Sequence, residues 1–333
     1  MRVFITGIGG FLGHHIAMRM HELGYQVAGN DTFVGGEEDN VPSFADFTLC
    51  DCCDFDAMKK AMEGCDLVYH CAATAHEGLS VFSPSFITRN IFEASVTTFS
   101  AAIAAKVKRI VFCTSMARYG EQQPPFKETM TPAPVDPYGI AKVAAEDVLK
   151  VLGKVHNIEW NIAVPHNIVG ENQKYDDPFR NVMSIMLNRM LQGKQPIIYG
   201  DGEQKRCFSD IDDCLYCLNA LAFNDNVVGE VINIGPDEEP VTINELAEAC
   251  ANETGINLDP IHHKDRPKEV KLATCSSDKA RKLLDYQTST NMSQSVKKTA
   301  EYIRTRGTKK FQYHLPLEII NDITPDTWKN KLI

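Results

Sequence analysis

Short runs of apolar and β-branched residues alternate with helical patterns through the first half of the chain. The apolar runs cover 3–6, 26–31, 66–73 and 109–115, and the helical patterns between them include 13–24 and 99–107. Strands that alternate with helices in this way are typical of βαβ units, which build a parallel sheet with helices on its faces. The alternation therefore predicts an α/β fold with a doubly wound parallel sheet.

The pattern loosens after about residue 165. A helical pattern at 141–157 and a strand at 160–170 precede the change, loops such as 171–180 and 198–208 follow it, and one apolar run returns at 231–235. We therefore expect a first domain over 1–165 and a smaller, interleaved α/β lobe over 166–333. The proline-punctuated segment 311–328 is expected to pack along the surface, and the sequence assigns it no role.

Composition and charge narrow the class of protein. A chain of 333 residues with 44% hydrophobic and 23% charged residues is typical of one large or two closely joined globular domains. The net charge of −10 argues against a nucleic-acid-coating protein, which needs clustered basic residues. The apolar start of the chain is too short and too rich in glycine for a membrane segment, so we expect a cytoplasmic protein without a membrane partner.

The cysteines indicate neither disulfides nor a metal site. There are 11 of them, an odd number, and most are scattered through apolar segments. Cys214 and Cys217 form a CxxC pair inside an apolar helical pattern, but no second pair follows at the spacing of a zinc site. We interpret both as core residues and expect no metal.

A glycine-rich loop follows the first strand. Gly7, Gly10 and Gly13 let the backbone turn tightly and approach a pyrophosphate at the start of a helix. Their GxxGxxG spacing departs from the commoner GxGxxG, so a plain turn is the alternative. Asp31 closes the next strand at the distance of a carboxylate that binds ribose hydroxyls, and no arginine adjoins it, which favours NAD over NADP. A loop cap is the alternative for Asp31.

Tyr138 and Lys142 stand four residues apart, so both lie on one face of a predicted helix. The preceding strand ends in Thr114 and Ser115, where a parallel sheet places its ligand crevice. A nearby ammonium and an oxidised nicotinamide both favour the phenolate, so Tyr138 is predicted to act as the base on a substrate hydroxyl while Ser115 binds the same oxygen. The alternatives are a surface pair and a strand-end cap.

These motifs together resemble the extended short-chain dehydrogenase/reductase family of nucleotide-sugar epimerases and dehydratases. The resemblance is carried by 6–13, Asp31, 70–73, Asn90, 114–120, 138–142, 165–170, 198–213 and 266–270. It covers nearly the whole chain except the tail. It implies a Rossmann-type domain that binds NAD over 1–165, a substrate-binding lobe over 166–333, a nucleotide-sugar substrate, and a homodimer joined through the helices at 90–105 and 138–150.

The resemblance also implies roles for individual residues. The cofactor-binding residues are Gly7, Gly10, Phe11, Leu12, Gly13, Asp31, Asp51, Cys52, Ala72, Ala73, Asn90, Tyr138, Lys142 and Pro165. The substrate-binding residues are Ser115, Met116, Ala117, Asn167, Arg206, Arg266 and Ala273, and the catalytic residues are Ser115, Tyr138 and Lys142. Either arginine would pair with the substrate diphosphate, although without the family each reads as a solvated surface residue.

The reaction is narrowed by Met116 and Ala117. In the resembling 4,6-dehydratases an Asp-Glu pair follows the hydroxyl residue, the decarboxylases carry Glu at the site of Ala117, and the 3,5-epimerases carry Cys. A 4-epimerase needs no such group, so the absence of one favours C4 epimerisation. The candidate substrates are a UDP-hexose, a UDP-N-acetylhexosamine and a UDP-uronic acid. Ala273 would leave room for the N-acetyl group. A dehydratase or related oxidoreductase and a non-catalytic nucleotide-binding protein are the alternatives, and Arg118 is unexplained.

Overall fold

The computed structural model describes residues 1–238, 240–267 and 270–333 and contains a sheet of seven parallel strands. From one edge to the other its order is β11-β6-β5-β4-β1-β2-β3. These strands are β1 (Arg2–Thr6), β2 (Gln26–Asp31), β3 (Asp46–Leu49), β4 (Leu67–His70), β5 (Arg109–Cys113), β6 (Glu159–Pro165) and β11 (Val231–Ile234). The prediction of a Rossmann-type parallel sheet is confirmed.

Helices cover both faces of the sheet. They are α1 (Phe11–Glu22), α2 (Phe55–Ala61), α3 (Glu77–Ser80), α4 (Pro84–Thr88), α5 (Ala94–Ala104), α6 (Pro137–His156), α7 (Val182–Leu191), α8 (Ile211–Phe223), α9 (Ile243–Thr254), α10 (Asp278–Leu284), α11 (Met292–Arg306) and α12 (Asp326–Lys329), the last six lying in the second half. A π-helical turn, Arg89–Glu93, joins α4 to α5.

Successive residues of the strands pack into two separate cores, one on each face of the sheet, because side chains alternate between the faces. On β1, Val3 and Ile5 pack with α1 and α8, whereas Phe4 packs with α2, α5 and α6. Cys214 and Cys217 of α8 are fully buried in the first of these cores. The interpretation of the CxxC pair as core residues therefore agrees with their packing.

The strand order reverses beside β1, which pairs with β2 on one side and β4 on the other. The connections on the two sides of such a switch point run in opposite directions, and a crevice opens at the carboxyl ends of the strands. Since all seven strands are parallel, the residues that follow β1, β2, β4, β5 and β6 meet at this one edge.

The second half of the chain both builds a lobe and returns to the sheet. The lobe core lies between α7, α9 and α11. Its short strands are β7 (Ile168–Val169), β8 (Ile197–Tyr199), β9 (Lys205–Arg206), β10 (Ser209–Asp210), β12 (Val241–Thr242), β13 (Ile261–His263) and β14 (Leu272–Ala273). The edge strand β11 and helix α8 belong to the first domain, so a division at 165 with later returns stays our prediction.

The chain after α11 runs back across the molecule, and we call residues 308–333 the tail. Part of it lies on the surface as expected, since Ile320 and Ile323 are exposed, but Leu315, Thr327 and Trp328 are buried. None of the helices in the described ranges is both long and apolar enough to cross a membrane.

Candidate active site

A cleft of about 490 Å³ follows the carboxyl edge of the sheet and continues between the first domain and the lobe. All 14 residues predicted to bind the cofactor line it, as do Ser115, Asn167, Arg206 and Arg266 from the predicted substrate residues. Residues that are far apart in the chain therefore meet at one site, because each follows the end of a neighbouring parallel strand or faces it from the lobe.

The glycine loop at one end of the cleft leaves no space for side chains. Gly7 has a φ of +73°, and a Cβ at that position would stand 3.0 Å from Ala72 Cα. A Cβ on Gly13 would meet the carbonyl oxygen of Gly7 at 2.1 Å. Helix α1 begins just after Gly10, so its first amides face the cleft without a side-chain cap. This cradle fits the pyrophosphate of a dinucleotide.

Asp31 is anchored at the end of β2 with its carboxylate facing the cleft. It accepts hydrogen bonds from the amides of Gly9 (2.9 Å), Thr32 (2.8 Å) and Phe33 (2.7 Å). Burial raises its pKa, although these hydrogen bonds oppose the shift. A carboxylate offers about four acceptor positions. The backbone uses three of them, and the remaining one fits a ribose hydroxyl.

Two of the residues expected to bind the cofactor are held in place by neighbouring residues. Asp51 accepts the amide of Cys53 at 2.9 Å and forms an ion pair with Arg89 at 2.9 Å. Asn90 lies in the π-helical turn and donates to the carbonyl of Phe86 at 2.8 Å. Such turns often mark functional sites, and here the turn directs Asn90 into the cleft.

Tyr138 lies buried at the junction between the cofactor end and the lobe. It stands in the first turn of α6, which begins at Pro137 and is capped by the Asp136 carboxylate on the amide of Gly139 at 2.8 Å. Burial raises the pKa of Tyr138 above its usual value, and the nearby Ser115 hydroxyl acts in the opposite direction. Ser115 and Tyr138 line the same cleft, and their predicted catalytic roles stay a prediction.

Lys142 is one turn farther along α6 and lies beneath the same end of the cleft. Its ammonium donates to the carbonyl of Cys113 at 2.8 Å and stands 4.9 Å from the centroid of the Phe112 ring. Burial lowers the pKa of Lys142 to about 8. The side chain is therefore mostly protonated at neutral pH and places a cation next to the nicotinamide end of the site.

The lobe contributes the residues expected at the diphosphate. Asn167 has a φ of +44° and donates its amide to the carbonyl of Cys207 at 2.9 Å. Arg206 of β9 donates to the carbonyl of Val270 at 2.6 Å. Arg266 stacks over Tyr199, with the guanidinium carbon 4.8 Å from the ring centroid. Both arginines line the cleft, so their assignment to the diphosphate stays a prediction that the geometry supports.

Three predicted substrate residues do not line the cleft. Met116 packs against the core between α5 and α6, and Ala117 packs against Tyr138 in the apolar cluster beside it. Ala273 is buried in the same core as Met116. Its predicted role, which is to leave room for a C2 substituent, stays a prediction. The motif 266–270 also includes Lys268 and Glu269, which lie outside the described residues.

Several cleft residues carry no recognisable sequence signal. The loop before α7 presents Phe179 and Arg180, and it is fixed by Asp177, which accepts His76 Nε2 at 2.9 Å. Arg180 donates to the carbonyl of Gly35 at 2.9 Å and stands 3.4 Å from Asp177. Glu77 of α3 also faces the cleft, and its charge acts to raise the pKa of Tyr138. None of these could be placed before the loop positions were known.

Comparison with known proteins identifies relatives of this architecture. The model of the NAD-dependent epimerase/dehydratase family matches residues 3–235. The chain is 29% identical over 310 residues to a putative UDP-glucose 4-epimerase of Methanocaldococcus jannaschii, covering 92% of this chain and 99% of that protein. It is 31% identical to GDP-mannose 3,5-epimerase 1 of Oryza sativa subsp. japonica, covering 81% and 73%.

A solved structure is also similar. The UDP-glucuronic acid 4-epimerase of Bacillus cereus, crystallised with UDP-glucuronic acid and NAD, superimposes with a TM-score of 0.85 at 27% identity and covers 92% of this chain and 100% of that one.

Proposed function

Because the chain belongs to the NAD-dependent epimerase/dehydratase family, we propose that it inverts C4 of a UDP-sugar by way of a transient 4-keto sugar. The observation that carries the proposal is that Ser115, the buried Tyr138 and Lys142 line one cleft, at the place where the cofactor crevice meets the lobe. The candidate substrates are a UDP-hexose, a UDP-N-acetylhexosamine and a UDP-uronic acid.

NAD, when bound, accepts the hydride from the sugar carbon and returns it to the opposite face. The protein supplies the proton transfer: Tyr138 takes the proton of the C4 hydroxyl as the base and gives it back as the acid. Ser115 donates a hydrogen bond to the same oxygen. The Lys142 ammonium is proposed to favour the phenolate by its charge. The charge of Arg180 acts in the same direction, against the rise in pKa that burial imposes on Tyr138.

The second candidate is a dehydratase or another oxidoreductase that moves a further proton. Met116 and Ala117 carry no group for that step, but Glu77 supplies a carboxylate to the cleft from α3. A carboxyl group there has the chemistry of a general acid. This observation keeps the second candidate open, whereas the presence of Ser115, Tyr138 and Lys142 together makes a non-catalytic nucleotide-binding protein the weakest alternative.

The test is to incubate the purified protein with UDP-glucose, UDP-N-acetylglucosamine, UDP-glucuronic acid and GDP-mannose, and to analyse the products by mass spectrometry and NMR. We expect an isomer of unchanged mass inverted at C4. Loss of one water would instead establish dehydration, and inversion at C3 or C5 would assign a second proton-transfer group. If none of the four sugars reacts, the proposed function is wrong.

We also propose that the protein is a cytoplasmic homodimer joined through α5 and α6. Ile140, Val151 and Val155 form an exposed apolar stripe on α6, on the side opposite the buried Lys142. Residues four, seven and eleven positions apart share a helix face, and an exposed apolar face of this kind favours association with another helix. Two copies would pair their α5 and α6 helices in a four-helix contact.

The substitution Val155→Glu is expected to convert the dimer to a monomer. Val155 is 68% exposed in the single chain, and an unpaired carboxylate within an apolar contact is costly to desolvate. Light scattering after size-exclusion chromatography gives the mass. Val228→Glu, at a 38% exposed position after α8, is the matched control and should leave the dimer intact. A monomeric wild-type protein would refute the assembly.

A further inference from the structure

The tail lies against the lobe and the first domain at the same time. The amide of Gln312 donates to the carbonyl of Asp176 at 2.8 Å, next to the loop that carries Phe179. A little farther along, the amides of Glu318 and Ile319 donate to the carbonyl of Phe82, at 3.0 and 2.9 Å. The tail therefore spans the opening between the two parts of the molecule on the lobe side of the cleft.

The contacts to the first domain fix the short helix α4. The carboxylate of Glu318 accepts the amides of Ser85 and Phe86, at 3.0 and 2.8 Å, and so caps the helix start. His314 makes a hydrogen bond of 2.9 Å through Nε2 to the carbonyl of Val34, in the loop that follows Asp31. Charged and ring contacts of this kind give the tail a defined position although it has little regular structure.

Trp328 is the main anchor of the tail. Its ring packs edge-on against Phe82 of the first domain, with ring centroids 6.0 Å apart, and against Phe179 of the lobe, at 5.1 Å. The indole is 2% exposed and approaches Gly78, where a Cβ would stand 3.4 Å from the ring. One aromatic side chain from the tail thus joins the first domain to the lobe, in the edge-to-face geometry that aromatic pairs favour.

The end of the tail reaches the cleft itself. Ile333 lines the cleft together with Val81 and Phe179, and its amide donates to the hydroxyl of Tyr313 at 3.0 Å. Ile333, Trp328 and Leu315 belong to the same apolar cluster as the catalytic Tyr138. An apolar wall therefore closes the side of the cleft next to the phenol, where the sugar has to lie if Tyr138 acts on its C4 hydroxyl.

We propose that the tail is the sugar-side wall of the active site, with Trp328 as its anchor and Ile333 as its contact with the ligand, and that it retains the 4-keto sugar until hydride returns. The inference rests on the proposed function. The keto sugar must rotate within the site to be reduced on its other face. The wall therefore has to leave the sugar room to rotate and still prevent its escape. Apolar side chains suit this task because they hold no single orientation by hydrogen bonds.

The first test is kinetic and compares Trp328→Ala with Ile323→Ala; Ile323 is a tail residue that is 63% exposed and does not belong to the apolar cluster. With UDP-glucose, Trp328→Ala is expected to raise KM at least tenfold and to lose activity during turnover, because escape of the keto sugar leaves the enzyme with reduced nicotinamide. Absorbance of the reduced cofactor measures this loss. Ile323→Ala should match the wild type in both respects, and Ile333→Ala should raise KM by a few fold.

The second test does not depend on turnover. The chain has two tryptophans, so Trp160→Phe leaves Trp328 as the only one. Titration of this variant with UDP-glucose is expected to change the tryptophan emission. UDP alone, which lacks the glucosyl group, should change the emission much less. Equal responses to UDP-glucose and UDP would place the tail at the nucleotide and would overturn the proposal. The proposal would also be overturned if Trp328→Ala kept the wild-type KM and accumulated no reduced cofactor. A wild type inactive on every sugar refutes the proposed function, whereas the emission change still tests the position of the tail.

Discussion

Replacing Tyr138 by Phe is expected to lower kcat for C4 inversion by about 10²–10⁴-fold, the usual contribution of a general acid-base group. The substitution removes one oxygen from a buried ring and leaves the packing of the apolar cluster around it. Ser115 then has no partner that can exchange a proton with the sugar. We expect KM to change little, because the arginines and the glycine loop still hold the two ends of the ligands. Initial rates by NMR, with bound NAD measured after denaturation, provide the values.

Tyr216→Phe is the control for this substitution. Tyr216 is half exposed on α8, and its hydroxyl donates to the carbonyl of Leu284 at 2.9 Å, away from the cleft. It should retain wild-type kcat. If Tyr138→Phe also retained it, the phenol would not be the base and the mechanism proposed here would be wrong.

A second large effect is expected for stability when Arg118 is replaced by Leu. Arg118 and Glu146 form a buried ion pair, with Nη2 and Oε2 3.0 Å apart and side chains 3% and 0% exposed. Removing Arg118 leaves the buried Glu146 carboxylate without its nearest counter-charge, since Lys150 Nζ is 3.8 Å away, and costs about 3–5 kcal/mol. Glu146 also accepts the hydroxyl of Thr114 at 2.6 Å, next to Ser115. The free energy of unfolding, measured by urea titration, should fall by that amount.

Two comparisons separate the buried charge from a general loss of packing. Arg19 pairs with Glu22 at 3.1 Å on the exposed side of α1, so Arg19→Leu should cost no more than about 1 kcal/mol. The double variant Arg118→Leu/Glu146→Leu removes both charges and should recover part of the loss. If the double variant is as unstable as the sum of the single ones, the pair is not what stabilises this region.

The role of Arg118 could not be predicted from the sequence. The motif 114–120 can be recognised from the sequence, but the role of Arg118 within it cannot, because its partner Glu146 stands on another element. The short helix-like turn after Ser115 directs Arg118 inward, where α6 passes. Only the packing of that turn against α6 shows that Arg118 meets a buried carboxylate there.

The parts of the site that the sequence predicted share one physical reason. Gly7, Asp31, Ser115 and Pro165 all stand at the ends of strands, and parallel strands bring their carboxyl ends to one edge. The parts it missed come from loops and from the tail, whose paths depend on packing between distant segments. Arg180 and Ile333 belong to this group. Ala273 is a different case, since counting from Arg266 gave a place in the chain without the direction of its side chain.

Helix α6 carries two tasks on opposite faces. The inner face holds Tyr138, Lys142 and Glu146, and the outer face exposes Ile140, Val151 and Val155. If association covers the outer face, the rigidity of the helix that aligns the phenol depends on a second chain. The specific activity then depends on protein concentration. On dilution below the dissociation constant of the subunits, the specific activity of each chain would fall although no residue of the cleft has changed.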